Sequence, residues 1–178
     1  MPTNFTFPAL KGLANLGNEK PVIVVDSREQ LPLVFQNLPS RVAPLVTGDY
    51  SVAGIEHLFS VERKSVSDLV GCCCGDSRER FQRELYRLQA YRFKRLLVVG
   101  SRSEIEAQRY VSKVAPRAVL GSLAAWECRF DLPVVFTPTP AQAALEIERW
   151  VWYYVREVVE SINNLYRASA GNLNATES

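Results

Sequence analysis

Asp49, Glu62 and Lys64 are the residues of this 178-residue chain whose types and spacing could do chemistry. Glu62 and Lys64 lie two apart in Leu58 to Lys64, a run that reads as a strand. Side chains alternate faces along a strand, so these two share a face and Arg63 points to the other. Asp49 follows Gly48 at the end of the preceding segment. Brought alongside, it places a second carboxylate next to the ammonium. Paired carboxylates suit Mg2+ or Mn2+, which take oxygen ligands and keep several waters. A neighbouring lysine can orient or help deprotonate one of those waters and offset charge building on a phosphate. That is the chemistry of metal-dependent phosphodiester hydrolysis. Singly, each residue has a plainer explanation: aspartate is common in turns, and a surface Glu-Lys pair contributes little. The weight lies in their joint occurrence, because gathered carboxylates repel one another until a divalent cation offsets the charge.

These residues need elements to hold them. Val22 to Val25 is an apolar run between Pro21 and Asp26 and reads as a buried strand. Arg41 to Val46 reads as another, followed by a turn at Thr47-Gly48-Asp49, where glycine grants backbone freedom. Tyr50 to Ala53 and Leu58 to Lys64 form a hairpin, which puts Asp49 and Glu62 near the same end of neighbouring strands. Ser65 caps a helix to about Cys73, with Asp68 three positions on as a capping-box partner. A second helix runs from Gly75 to about Tyr91 and shows Phe81, Leu85 and Leu88 on one face. Beyond it come a strand at Leu96 to Val99, a short helix at Ser103 to Val111 and a helix from Pro116 to about Phe130. A last strand, Pro133 to Phe136, precedes a long helix capped by Thr139 and running from Pro140 to roughly Asn163. Strands alternating with helices, plus one hairpin, predict an α/β fold: a mixed β-sheet flanked by helices on both faces. Residues 1–20 read as a loose arm and 164–178 as a polar tail, leaving one domain over 21–163.

Composition is that of an ordinary globular protein, 47% hydrophobic and 22% charged. No apolar run is long enough for a membrane span, and no secretory signal opens the chain, which predicts a cytoplasmic protein. The net charge of +2 does not announce a nucleic-acid binder. Its distribution is more telling: Asp76 to Arg95 holds seven cations, Arg78, Arg80, Arg83, Arg87, Arg92, Lys94 and Arg95, against three anions. Such a stripe fits a phosphate-binding face, or else a solvated helix with Glu-Arg pairs. Cys72, Cys73 and Cys74 are consecutive and Cys128 is remote, which is not the paired spacing of a zinc site. They read as small apolar residues at a helix end.

The order Gly48-Asp49, Glu62-Arg63-Lys64, three residues, Asp68 resembles the nuclease domain of the XPF family of structure-specific DNA endonucleases, a branch of the restriction-endonuclease-like fold. Asp26-Ser27-Arg28-Glu29 resembles the D-x-R-E that ends the family's opening strand, and Ser77-Arg78 its G-R element, with serine in place of glycine. The likeness spans about Pro21 to Glu160. It implies Asp49 and Glu62 as principal metal ligands, Asp26 near the metal or holding it through water, and Lys64 as the catalytic lysine. It implies Arg28, Glu29, Arg63 and Asp68 as supporting residues. Arg78 would contact substrate or hold the active-site helix, with Arg63, Arg80 and Arg83 contacting DNA.

The expected activity is therefore hydrolysis of branched or flapped DNA with Mg2+ or Mn2+. Family members that cut branched DNA usually carry a tandem helix-hairpin-helix domain after the nuclease. Only Ser161 to Ser178 follow here, which points to a stand-alone form of the kind bacteria or their phages encode. A catalytically silent DNA-binding or scaffold module is the competing reading, as is a nuclease acting on unbranched DNA or RNA. Silent relatives typically lack the acidic residues that this chain has. The long last helix is apolar over much of its girth, from Leu145 through Trp150, Trp152 and Val155 to Ile162. Such a helix needs two partners. As nuclease domains of the family dimerise through this half of the fold, a homodimer is expected, the alternative being a helix that sits deep in one domain.

Overall fold

The computed structural model describes residues 19–174. All but the last two residues of the expected N-terminal arm lie outside that range. The chain forms β1 (Ile23–Asp26), β2 (Ser40–Ala43), β3 (Tyr50–Val52), β4 (Phe59–Ser65), α1 (Val66–Gly71), α2 (Gly75–Leu88), β5 (Phe93–Val99), α3 (Arg102–Glu106), α4 (Pro116–Phe130), β6 (Val134–Thr137) and α5 (Pro140–Asn174). The strands make one six-stranded sheet in the order β2-β1-β3-β4-β5-β6. It is mixed as expected. β2 and β1 are parallel, β3 is antiparallel to both its neighbours, and β4, β5 and β6 are parallel.

Alternation along β4 splits the molecule into two layers. Phe59 and Val61 belong to a core with Val25, Leu97, Ile147 and Val151, so α5 covers that face. Phe59 stacks on Phe93 at 4.3 Å between ring centroids, and Tyr154 of α5 closes the cluster at 5.5 Å. The opposite face carries Leu96 and Val98, packed with α1, α2 and α4 through Leu69, Phe81, Leu85 and Trp126. The same face of β4 carries Ser60, Glu62 and Lys64, and in register Glu62 lies beside Leu96 and Lys64 beside Val98. Helices therefore flank both faces, and the charged residues of β4 stand among apolar neighbours.

Several bounds moved: the helix expected at Ser103 to Val111 is only Arg102–Glu106, and β5 starts at Phe93 rather than Leu96. Two further shifts have plain physical reasons. β2 stops at Ala43 because Pro44, which cannot donate to a ladder, follows it, and Pro44 to Thr47 becomes an irregular segment instead. α5 continues past Asn163 to Asn174. The residues that follow, Leu165, Arg167 and Ala168 among them, are strong helix formers, and the Ser161 hydroxyl donates back to the Glu157 carbonyl. Thr139 caps the start, accepting from the Gln142 amide at 3.2 Å. Buried Glu148 on α5 accepts the amides of Gln36, Asn37 and Leu38, tying the β1–β2 connection to this helix.

Candidate active site

The site lies where β1, β3 and β4 end together. Asp49 is pinned between two strands: its amide donates to the Val61 carbonyl at 2.8 Å, and its carbonyl accepts the Asp26 amide at 2.8 Å. The chain can approach β4 this closely because Gly48 precedes it with φ +81°. A Cβ on Gly48 would run into Ser60 Oγ and crowd the Val61 carbonyl at 3.1 Å. Ser60 Oγ in turn holds the turn by donating to the Thr47 carbonyl at 3.0 Å. Asp49 and Glu62 are thus brought to one end of one hairpin.

Four carboxylates and three cations meet around this end. Asp26 is 2% exposed and takes a two-pronged bond from Arg28, at 2.8 and 2.9 Å, together with the amides of Arg28 and Leu45 at 2.7 Å each. Those bonds, the Arg28 side chain first, hold Asp26 below the usual carboxylate range. Glu29 pairs with Arg63 through two bonds, at 3.1 and 3.2 Å, and Arg63 also reaches the Leu31 carbonyl. Burial pushes Glu29 up, but the Arg63 bond, the Leu31 amide and nearby cations outweigh it, so it too titrates low. Lys64 Nζ donates to Glu62 Oε1 and stands 5.2 Å from the centroid of the Phe81 ring on α2. Asp49 is held instead by a backbone donor, the Arg63 amide, at 2.7 Å.

That arrangement perturbs the pair on β3 and β4. Burial, and then the charge of Asp49, push Glu62 up to about 7. Burial also raises Asp49, to about 6. Burial disfavours the Lys64 ammonium, yet the carboxylates of Glu62 and Asp49 more than offset this and raise it above the ordinary lysine value. Lys64 is therefore a cation and a donor at neutral pH.

A groove of about 490 Å³ opens over the site, lined by Asp49, Lys64, Arg28, Asp68, Ser77 and Arg80 among others. Asp68 caps α1 as its spacing predicts: Ser65 Oγ accepts the Asp68 amide at 3.1 Å and donates to Asp68 Oδ2 at 2.7 Å. The arginines of α2 diverge because the helix turns. Arg80 faces the groove, whereas Arg83 is exposed farther along. Arg78 turns inward, donating to the Cys73 carbonyl at 3.1 Å and Ser122 Oγ at 2.6 Å, with Trp126 beneath it. It bolts the α1–α2 junction to α4. Arg92, Lys94 and Arg95 stand at the start of β5, the end remote from Lys64, so the basic stripe read from the sequence divides between two places. Cys72 borders the groove and burial pushes its thiol up to about 11, while Cys73 is buried and Cys74 exposed. One contributor was missed: half-buried Glu84 on α2, whose charge acts on Glu62, Lys64 and Arg28. Its only sequence signal was a charged residue within the apolar stripe of Phe81, Leu85 and Leu88.

The ERCC4 domain matches residues 25–149, most of the chain and all of this site. The chain belongs to the ERCC4 domain family. Among solved structures it is similar to XPF from Aeropyrum pernix, at 25% identity and a TM-score of 0.60, covering 74% of this chain and 60% of that one. It also resembles XPF from Aeropyrum pernix in complex with DNA, at 21% identity and a TM-score of 0.53, covering 84% and 66%. The chain thus spans about two thirds or less of these relatives. No curated protein matches.

ERCC4 domain nucleases generally use divalent metals, and the donor set here fits one. Among the described residues there is no cluster of three or more histidine, cysteine or carboxylate ligands, as a dedicated protein cage would need. Mg2+ needs none: it is commonly held by one or two carboxylates, with waters and substrate phosphate completing its shell. Asp49 gives one oxygen to the Arg63 amide and Glu62 gives one to Lys64, leaving the second oxygen of each to face a cation. Two neighbouring carboxyls with raised pKa are what a missing positive charge produces.

Proposed function

We propose that this ERCC4 domain is a Mg2+- or Mn2+-dependent DNA endonuclease acting on branched or flapped duplex. The observation that carries the reading is the meeting of Asp49 and Lys64 in one groove, with buried Glu62 bonded to that lysine. Asp49 and Glu62 are the ligands. Asp26 contributes only through water, because both its oxygens already accept two hydrogen bonds. Held there, a divalent ion would supply Lewis-acid polarisation of the phosphate and would lower the pKa of a water. Lys64, held cationic by Glu62, donates to that water or to a non-bridging phosphate oxygen and stabilises charge as it develops. Glu29 and Arg63 fix the backbone amide that orients Asp49. Arg28 and Arg80 line the groove where neighbouring phosphates would pass. That the similar Aeropyrum pernix protein was solved in complex with DNA supports a DNA substrate.

The second element of the proposal is a homodimer through α5. Its first part is buried against the sheet, with Ile147 and Val151 at 0% exposure, but Ile162 and Tyr166 are 45% and 63% exposed. A second copy of the chain would cover them.

The test is cleavage of labelled flap, fork, duplex and single-stranded DNA with Mg2+ or Mn2+, beside an EDTA control and Asp49→Ala. Cutting that needs metal and disappears in the variant supports the reading, and the substrate ranking reports branch preference. Turnover by Asp49→Ala at the wild-type rate would sink it. DNA bound but left intact by the wild-type protein would favour the silent binding module.

A further inference from the structure

Beyond the groove, on the same face of the sheet, lies a cavity of about 710 Å³ with mostly apolar walls. Leu45 and Val46 form one wall, Tyr86, Ala90 and Tyr91 another, and His57 contributes at its margin. Across Tyr86 is a second hollow of about 610 Å³, bordered by Arg83, Arg87 and Arg129 against a single Glu79. Tyr86 and Arg87 line both. Tyr86 is 70% exposed, a large ring standing as a partition between an apolar chamber and a cationic one.

The segments that wall these chambers also reach the active site. Leu45, in the cavity wall, donates its amide to Asp26 and accepts from Arg28 through its carbonyl at 2.8 Å. Arg87 is tied to the same segment by a 3.2 Å bond to Thr47 Oγ1. α2 serves both places, with Ser77 and Arg80 in the groove and Tyr86 and Arg87 at the cavity. Arg80 and Tyr86 are about 9 Å apart along the helix axis at 1.5 Å per residue.

An apolar chamber walled by an exposed ring, with arginines behind that ring, matches one chemical unit: a base with its phosphate. Aromatic faces stack bases without regard to sequence, and arginines track the backbone. We propose that the cavity takes an unpaired nucleobase of the DNA strand, stacked on Tyr86. Its phosphates lie on Arg83, Arg87 and Arg129. A base inside a duplex cannot enter, so the cavity selects substrates with an unpaired nucleotide beside the cut. This deepens the nuclease reading and rests on it.

The test uses the full chain in EDTA, so that DNA is bound but not cut, and flap DNA carrying 2-aminopurine at successive positions. Fluorescence reports stacking and anisotropy reports affinity. One position near the cut is expected to be quenched. Tyr86→Ala should abolish that quenching and weaken flap binding roughly five- to hundredfold, while Tyr86→Phe preserves both. Fully paired duplex should bind Tyr86→Ala as it binds the wild type. Unchanged quenching in Tyr86→Ala, or an equal loss of affinity for paired duplex, overturns the proposal. So does uniform fluorescence with undiminished flap affinity, which would assign the cavity to an apolar side chain of a protein partner. Failure of the nuclease reading itself shows separately, as absence of metal-dependent cutting by the wild-type protein or its persistence in Asp49→Ala.

Discussion

The two faces of β4 obey different rules. Toward α5, Phe59 and Val61 are buried in a layer of aromatic and aliphatic side chains whose attraction is non-directional and grows with area. Toward α2, Glu62 is as buried, at 5% exposure, and Lys64 is half-buried, yet each must find its charge partner. The first face holds the sheet together. The second stores electrostatic tension, since Glu62 and Asp49 are both raised by burial and share one end of one hairpin. A fold can carry the second face because the first supplies stability in excess. Arg63 shows the border between them: it alternates with Glu62 and Lys64 along β4, lines the groove and is spent on Glu29, while its amide orients Asp49.

The sharpest way to separate the two rules is to break each once. Phe59→Ala removes a fully buried ring from the apolar layer and should cost about 3–5 kcal/mol in denaturant unfolding. Arg63→Ala leaves Glu29, at 8% side-chain exposure, without its partner, and should cost a similar 3–5 kcal/mol. The second loss alone should be recovered by replacing both partners: Glu29→Met with Arg63→Leu is expected to refold stably. Cleavage should stay impaired in that double variant, because the groove loses the Arg63 cation and its Glu29 partner. If the double variant is as unstable as Arg63→Ala, the pair is not acting as a charge clasp.

Glu62→Gln tests the polar face at its centre. It keeps the shape and removes the charge, so the metal-free protein should be at least as stable as the wild type. Single-turnover cleavage in Mg2+ should fall about a hundred- to thousandfold, with flap affinity kept. Lost thermal stability in Glu62→Gln would mean that the Lys64 bond matters to the fold more than the burial of a charge does.

The smallest expected effect is in pH. Both carboxyls are raised, Asp49 to about 6 and Glu62 to about 7, so the native state keeps protons that the unfolded chain releases. Their contribution to stability is full below the usual carboxylate range of about 4 and is lost as pH rises through 6 and 7. The melting temperature of the metal-free protein should therefore drift down by a few degrees between pH 5 and pH 8. Added Mg2+ should restore it more at pH 8 than at pH 5, because a cation needs the ionised pair. A melting temperature equally sensitive to pH in Asp49→Asn with Glu62→Gln would place the titration elsewhere.

Much of this site was legible because its determinants are local. The two-residue spacing of Glu62 and Lys64 fixes their common face wherever the strand goes. Gly48 marks the tight approach that seats Asp49, and Ser65 with Asp68 marks the start of α1. Proline and the apolar stripe located α4 and α2 to within a few residues. The arginines were less legible. Seven cations within Asp76 to Arg95 look alike in a sequence, yet Arg78 is spent on Cys73 and Ser122, Arg80 faces the groove and Arg95 lies on the Phe93 ring at 4.3 Å. Their directions depend on the phase of α2 against the sheet, which no neighbouring residue encodes.

Composition and periodicity alone determined that the chain makes an α/β sheet with helices on both faces and that acids and a lysine cluster near a hairpin end. Those follow from backbone geometry acting over a few residues. Only the tertiary structure decided which carboxylate keeps which cation: Asp26 with Arg28, Glu29 with Arg63, and Glu62 with Lys64, leaving Asp49 to a backbone amide. It also decided that Pro44 to Thr47 folds beside α2 to wall a cavity. Pairing and enclosure depend on distances between segments far apart in the chain, and those distances exist only after the sheet has closed.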